Sequence, residues 1–117
     1  VEIAEARDLH GVEIVVDPDL EIFEDLDAQA AQIAAMDRVI SISSIAAHLA
    51  GALGKPVDMI YPNEIALLWY WFHDRDDSSW YPSMTIHRPA RGQDREAFMT
   101  ALARRLGQRT PAGAAPG

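Results

Sequence analysis

Short runs of β-branched residues recur along the chain and indicate candidate strands. Residues 12–16, Val-Glu-Ile-Val-Val, follow Gly11 and stop at an Asp-Pro pair, and a second run occupies residues 39–42. Such runs, bounded by turn-forming residues, are typical of buried strands. Residues 57–61 and 84–87 have a similar character and predict a third and a fourth strand.

Apolar residues at intervals of three or four predict three helices, near residues 26–36, 44–53 and 95–106. Each prediction includes a residue that favours the helix N-cap, namely Asp25 or Asp27, Ser43 or Ser44, and Asp94. Residues 2–9 are typical of the end of a further helix, which Gly11 would terminate.

The alternation of strands and helices predicts the fold class. Crossover connections of this kind place parallel strands in one sheet with helices on its faces. We therefore predict an α/β fold, a Rossmann-like three-layer unit with a mostly parallel sheet, over residues 1–106. Residues 107–117, which contain several glycines and prolines, predict a disordered tail. Four strands are few for a doubly wound domain, so we expect the chain to be part of a longer protein.

Composition and charge narrow the choice of ligands. A net charge of −8 argues against binding nucleic acid through a broad basic surface, so an anionic ligand must be bound locally. The sequence has no cysteine, which excludes disulfides and thiolate metal sites and favours the cytosol. The sequence has no run of about 20 apolar residues, so it predicts no membrane span.

The turn between the strand at residues 39–42 and the next helix contains two serines, Ser43 and Ser44. The first N–H groups of a helix lack internal partners and lie at the positive end of its dipole, so they favour phosphate oxygens. His48, one turn into the helix, could donate a further hydrogen bond to a phosphate. The alternatives are that Ser44 only caps the helix and that His48 is a core residue bonded to a backbone carbonyl.

All three tryptophans of the chain lie between residues 69 and 80. Trp69, Trp71, Trp80 and the neighbouring Tyr81 form a candidate wall of a sugar or base pocket. The alternatives are that these rings form local core or a surface that contacts another domain.

Three aspartates, Asp74, Asp76 and Asp77, follow the aromatic run. They are conceivable as metal ligands or as an acid and base pair. A solvated acidic loop with Arg75 paired locally is the interpretation we prefer, and we predict no metal site.

Two blocks carry a resemblance to a known family. Residues 39–56, Val-Ile-Ser-Ile-Ser-Ser-Ile-Ala-Ala-His-Leu-Ala-Gly-Ala-Leu-Gly-Lys-Pro, resemble the nucleotide-diphosphate-binding motif of the heptosyltransferase-like glycosyltransferases, especially bacterial ones fused to tetratricopeptide repeats. Residues 69–82, Trp-Tyr-Trp-Phe-His-Asp-Arg-Asp-Asp-Ser-Ser-Trp-Tyr-Pro, resemble the second block of those proteins. The two blocks cover about a third of the chain.

The resemblance implies the C-terminal half of a GT-B fold, in which one Rossmann-like domain binds the nucleotide sugar and a separate N-terminal domain binds the acceptor. It implies catalysis without a bound metal or other cofactor. It also implies that Ser43, Ser44 and Ile45 contact the diphosphate and that His48 supports it. The catalytic base would come from the N-terminal domain, so no residue of this chain is assigned to catalysis.

The chain departs from the family pattern in the turn and in the strand that follows the helix. Ser43-Ser44 stands where many members of the family have Asp-Thr or Ser-Asn. Ile45 stands where relatives often have a smaller residue, and it could crowd a phosphate. Asp58 stands in a strand where relatives have an apolar or aromatic residue, and its burial would be costly unless it lies at an edge.

Two functions follow as expectations. The first is the donor-binding part of a glycosyltransferase that transfers a sugar from a nucleotide-diphosphate sugar to an acceptor hydroxyl, inactive without its acceptor domain. The second is a non-catalytic interaction module that retains the fold and docks through the aromatic surface. In either case we expect self-association of the isolated chain, because surfaces that face other domains would be uncovered.

Overall fold

The computed structural model of the protein describes residues 2–61, 68–72 and 75–108. Within them the elements are α1 (Glu2–His10), α2 (Leu26–Ala34), β1 (Val39–Ile42), α3 (Ile45–Ala52), β2 (Val57–Ile60), a 3₁₀ turn (Trp69–Trp71), β3 (Met84–His87) and α4 (Arg95–Gly107). The predicted tail begins within α4 at Gly107, and its residues 109–117 lie outside the described residues.

The three strands form one parallel sheet in the order β1-β2-β3. Val39, Val57 and Met84 lie in one row of the register. The predicted α/β class, the parallel pairing and the strands at 39–42, 57–60 and 84–87 are therefore confirmed. Helices near the three predicted positions are also present, with bounds that differ by a few residues.

The strand predicted at residues 12–16 is wrong. The segment follows α1 as irregular chain, and Val15 is 83% exposed. The backbone N–H of Val12 completes the C-terminal end of α1, because it donates to Ala6 O. Gly11 adopts φ +65°, which allows the chain to turn back in this way. β-branched residues favour extended backbone, but a strand also needs a neighbour that completes its hydrogen bonds, and the described residues provide none here.

The hydrophobic core lies on the face of the sheet covered by α2 and α3. Alternate residues of a strand point to opposite faces, and one face contributes Val57, Met59, Met84 and Ile86. Ile33 of α2 and the small residues Ala47 and Ala50 of α3 complete this core, together with Tyr61 and Trp71. Small residues allow α3 to lie close to the strands, so the turn before it is held against the sheet.

The opposite face of the sheet is covered by α4 only in part. Phe98 and Leu102 are buried, whereas Ile40 and Ile42 of β1 are 54% and 65% exposed. A groove of about 460 Å³ separates Ile42 and Ile60 from Phe98 and Met99. Helices therefore lie on both faces of the sheet, as the predicted three-layer unit requires.

Asp58 is buried in the central strand and not at an edge of the sheet, with only 1% of its surface exposed. Its carboxylate lies 3.0 Å from Arg38 Nε and 2.7 Å from His87 Nε2. Arg38 also donates to the carbonyl oxygen of Leu106, near the end of α4. These partners offset the desolvation of the carboxylate and connect α4 to the sheet.

No helix in residues 2–61, 68–72 and 75–108 combines the length and apolar character needed to cross a bilayer.

Candidate functional site

The Ser43-Ser44 turn lies where ligands commonly bind in parallel sheets. It connects the carboxyl end of β1 to the first residue of α3. Because the three strands are parallel, the residues that follow β2 and β3 leave the sheet at the same edge. Ligands of open α/β sheets bind beyond this edge.

Ser44 occupies the N-cap position of α3, but its side chain does not cap the helix. Ser41 Oγ donates to Ile42 O, so the hydroxyl of Ser44, 3.0 Å away, donates to Ser41 Oγ. The predicted capping hydrogen bond is thus wrong, because the neighbouring hydroxyl takes its place. Across the described part of the chain, the backbone N–H groups of residues 45–47 have no acceptor.

The other capped helices differ in this respect. Asp25 accepts from Ala28 N at 2.8 Å at the start of α2, and Asp94 accepts from Ala97 N at 3.1 Å at the start of α4. These two aspartates satisfy first-turn donors as predicted. The start of α3 therefore keeps one first-turn donor that the starts of α2 and α4 each pair with a capping aspartate.

A pocket of about 340 Å³ opens beside the start of α3. Its lining residues are Ile22, Phe23, Gln29, Ser44, Ile45 and Ala46. The Oε1 atom of Gln29 is buried and has no hydrogen-bond partner within the described residues. Ile45 is 61% exposed, so its side chain adds bulk to the pocket without closing it.

A chain of contacts connects the turn to the aromatic block. The indole Nε1–H of Trp71 donates to Ser43 Oγ at 3.0 Å, and the serine hydroxyl hydrogen has no acceptor within the described ranges. The Trp71 ring stacks on His48 with centroids 5.0 Å apart and planes inclined by 27°. His48 Nδ1 lies 2.8 Å from the hydroxyl oxygen of Tyr81. The structure thus brings together Ser43, His48, Trp71 and Tyr81.

The three tryptophans among the aromatic residues grouped by the sequence differ in burial. Trp71 is fully buried, so it supports the turn from within the core and does not form an open pocket wall. Trp69 and Trp80 are 71% and 54% exposed and meet edge to face, with centroids 6.4 Å apart. Trp80 Nε1–H donates to Tyr70 O, which fixes its ring on the surface.

The acidic loop is organised by Arg75. Its guanidinium donates to both carboxylate oxygens of Asp77, and these hydrogen bonds hold the pKa of Asp77 below its usual value. The carbonyl oxygen of Asp76 accepts from Ile86 N–H in β3. Asp74 lies outside the described residues, and residues 2–61, 68–72 and 75–108 contain no group of three side chains placed to bind a metal.

Sequence reasoning missed two features of this region. Gln29 borders the pocket beside α3, and nothing in the sequence indicates this position. Gly51 packs against the ring of Tyr81, where an added Cβ would lie 2.5 Å from Cγ. A glycine inside a helix indicates that another part of the protein approaches the helix closely, but it does not identify that part.

Comparison with known proteins gives limited similarity. The chain is 44% identical over 59 residues to "Protein FlbA" of Caulobacter vibrioides. The alignment covers 50% of this chain and 10% of FlbA, so the chain spans about a tenth of the length of the curated relative it matches. No family model matches the chain, and no solved structure matches it.

Proposed function

We propose that this chain binds a nucleotide-diphosphate sugar and forms the donor-binding part of a glycosyltransferase of GT-B type. The observation that carries the proposal is the start of α3. Its first-turn N–H groups are left without acceptors in the described residues, beside a pocket at the carboxyl edge of a parallel sheet.

The chemistry of the turn suits a diphosphate. Backbone N–H groups at a helix start donate to phosphate oxygens, and the helix dipole adds favourable charge. The oxygen of Ser43 accepts from Trp71, and its hydroxyl hydrogen has no acceptor among the described residues, so it can donate to the ligand. With a net charge of −8 on the chain, the anion is stabilised by these local dipoles and not by a basic surface. The same donors would stabilise the diphosphate as it leaves the sugar.

The pocket beside α3 suits the nucleoside. Its lining is mainly apolar, which favours a base or ribose ring. The unpartnered Oε1 of Gln29 supplies an acceptor for an N–H group of a base. Ile45 restricts the space next to the phosphates, so we expect weaker binding than in a chain with a small residue there.

The test is calorimetric titration of the chain with ADP, GDP, UDP, CDP and TDP, using a matched pair of variants. Ile45→Pro removes one N–H donor, and proline is tolerated at the first position of a helix. Ser44 already has the extended backbone that a following proline requires, with φ −156° and ψ 171°. Ile45→Ala removes the same side chain but keeps the N–H group.

We expect at least one diphosphate to bind and Ile45→Pro to bind it at least roughly tenfold more weakly than Ile45→Ala. Equal affinities in the two variants would contradict a role for the helix start. The absence of a response to all five diphosphates at millimolar concentration would overturn the proposal.

The second candidate function is a non-catalytic interaction module, favoured by the exposed pair Trp69 and Trp80. Exposed aromatic residues in fixed positions are typical of contact surfaces between proteins. This function requires no response to nucleotides, so the titration separates the two candidates.

A further inference from the structure

The hydrogen bond between His48 and Tyr81 determines which imidazole nitrogen carries a proton. Nδ1 of His48 lies 2.8 Å from the Tyr81 hydroxyl oxygen. A phenol, with a pKa near 10, is a better donor than a neutral imidazole N–H, and an imidazole nitrogen is a better acceptor than a phenol oxygen. For a neutral imidazole this difference favours the O–H of Tyr81 as the donor and Nδ1 as the acceptor.

Accepting at Nδ1 leaves the proton of a neutral ring on Nε2, because one nitrogen of a neutral imidazole accepts while the other donates. Nowhere in the described part of the chain does an acceptor lie within hydrogen-bond distance of His48 Nε2. The Trp71 ring stacked on the imidazole restricts its rotation. Side chains of a helix lean towards its N-terminus, which for His48 is the Ser43-Ser44 turn.

We propose that Tyr81 is a positioning residue that holds His48 as a neutral Nε2–H donor for the diphosphate at the start of α3. This inference rests on the proposed function. It assigns Tyr81 a role different from that of a pocket wall, since its hydroxyl acts through His48 and not on the ligand.

Gly51 makes this arrangement possible. A Cβ at this position would lie 2.5 Å from Cγ, 2.8 Å from Cδ1 and 2.9 Å from Cβ of Tyr81. These atoms are at the root of the side chain, so the ring could not give way without moving the hydroxyl from His48. The glycine in α3 therefore belongs to the same arrangement as the Tyr81 hydroxyl.

The tautomer can be measured without any ligand. We would label the histidines with ¹⁵N, assign His48 by its loss in His48→Gln, and record ring-nitrogen shifts at alkaline pH, where imidazole is neutral. The expected result is one tautomer, with a pyrrole-type Nε2 and a pyridine-type Nδ1. In Tyr81→Phe the Nδ1 shift should move, because its hydrogen bond is lost, and the second tautomer should become detectable.

A binding cycle tests the consequence for the ligand. Using the nucleoside diphosphate that binds best in calorimetry, Tyr81→Phe should weaken binding roughly fivefold in the wild-type background. In a His48→Gln background, where the side-chain amide keeps a donor near the Nε2 position but has no Nδ1, the same change should alter affinity less than twofold.

The outcomes separate this inference from the proposed function. A proton on Nδ1 in the wild type, or ring shifts unchanged in Tyr81→Phe, overturns the role of Tyr81 whether or not nucleotides bind. An equal loss of affinity from Tyr81→Phe in both backgrounds also overturns it. If no diphosphate binds the wild type, the proposed function fails, and the positioning role fails with it even when the tautomer is as expected.

Discussion

At the scale of single residues, the contact between Gly51 and Tyr81 has a measurable effect on stability. Replacing Gly51 with Ala improves helix propensity by up to about 1 kcal/mol, but the new Cβ overlaps the Tyr81 ring. Overpacking of this kind costs about 1–3 kcal/mol, so we expect Gly51→Ala to lower the free energy of unfolding in urea titrations. Gly107→Ala is the matched control, since nothing lies within 4 Å of its added Cβ. A Gly51→Ala protein as stable as the Gly107→Ala protein would contradict the contact.

Asp58 gives a second prediction at this scale. Changing Asp58 to Asn removes the charge that partners Arg38 and His87 in a site only 1% exposed. Breaking a buried ion pair costs about 3–5 kcal/mol, because the remaining partner is left buried without its counter-charge. We expect the midpoint of thermal unfolding to fall sharply. Asp8→Asn, in the exposed pair with Arg7, is the control and should change the midpoint little.

At the scale of elements, Asp94 and Ser44 both occupy an N-cap position, but only Asp94 makes a capping hydrogen bond. Asp94→Ala should lower the free energy of unfolding by about 1 kcal/mol, because Asp94 accepts from Ala97 N. Ser44→Ala should cost less than about 0.5 kcal/mol, because the Ser44 hydroxyl makes no capping bond. Urea unfolding of the two variants measures both effects. Equal losses would mean that Ser44 caps α3 after all.

The sequence predicts a secondary-structure element correctly where local preference and tertiary packing agree. The strands at 39–42 and 84–87 and all of α3 were recognisable because local preference and burial agree there. Residues 12–16 have the same local preference, but pairing depends on a neighbouring strand that local pattern does not specify. Similarly, a serine before a helix predicts a cap only on average, and the nearby Ser41 hydroxyl changes the outcome here.

The sequence predicted which residues belong to the candidate site, but it did not predict the contacts between them. Ser43, His48, Trp71 and Tyr81 were each identified from the sequence by residue type and position. Their contacts join residues 28 and 33 positions apart in the chain. Pairings over such distances depend on how β2 and β3 align, and no local pattern contains that information.

At the scale of the whole molecule, the exposed apolar surface predicts self-association. Val15, Phe23 and Ile42 are 83%, 91% and 65% exposed, and β1 is an edge of the sheet. Such surfaces favour contacts between copies. We expect the mass from light scattering to rise with concentration, and Phe23→Ser with Ile42→Thr to reduce the rise. A monomer at all concentrations would contradict this prediction.

We propose that the start of α3, where no side chain caps the helix, binds the diphosphate of a nucleotide sugar. The most direct measurement is an NMR titration of the ¹⁵N-labelled chain with a nucleoside diphosphate, with the matching nucleoside and inorganic phosphate as controls. We expect the amide signals of Ile45, Ala46 and Ala47 to move most, and the diphosphate to move them at lower concentration than either control. Shifts confined to other residues, or none at millimolar concentration, would contradict it.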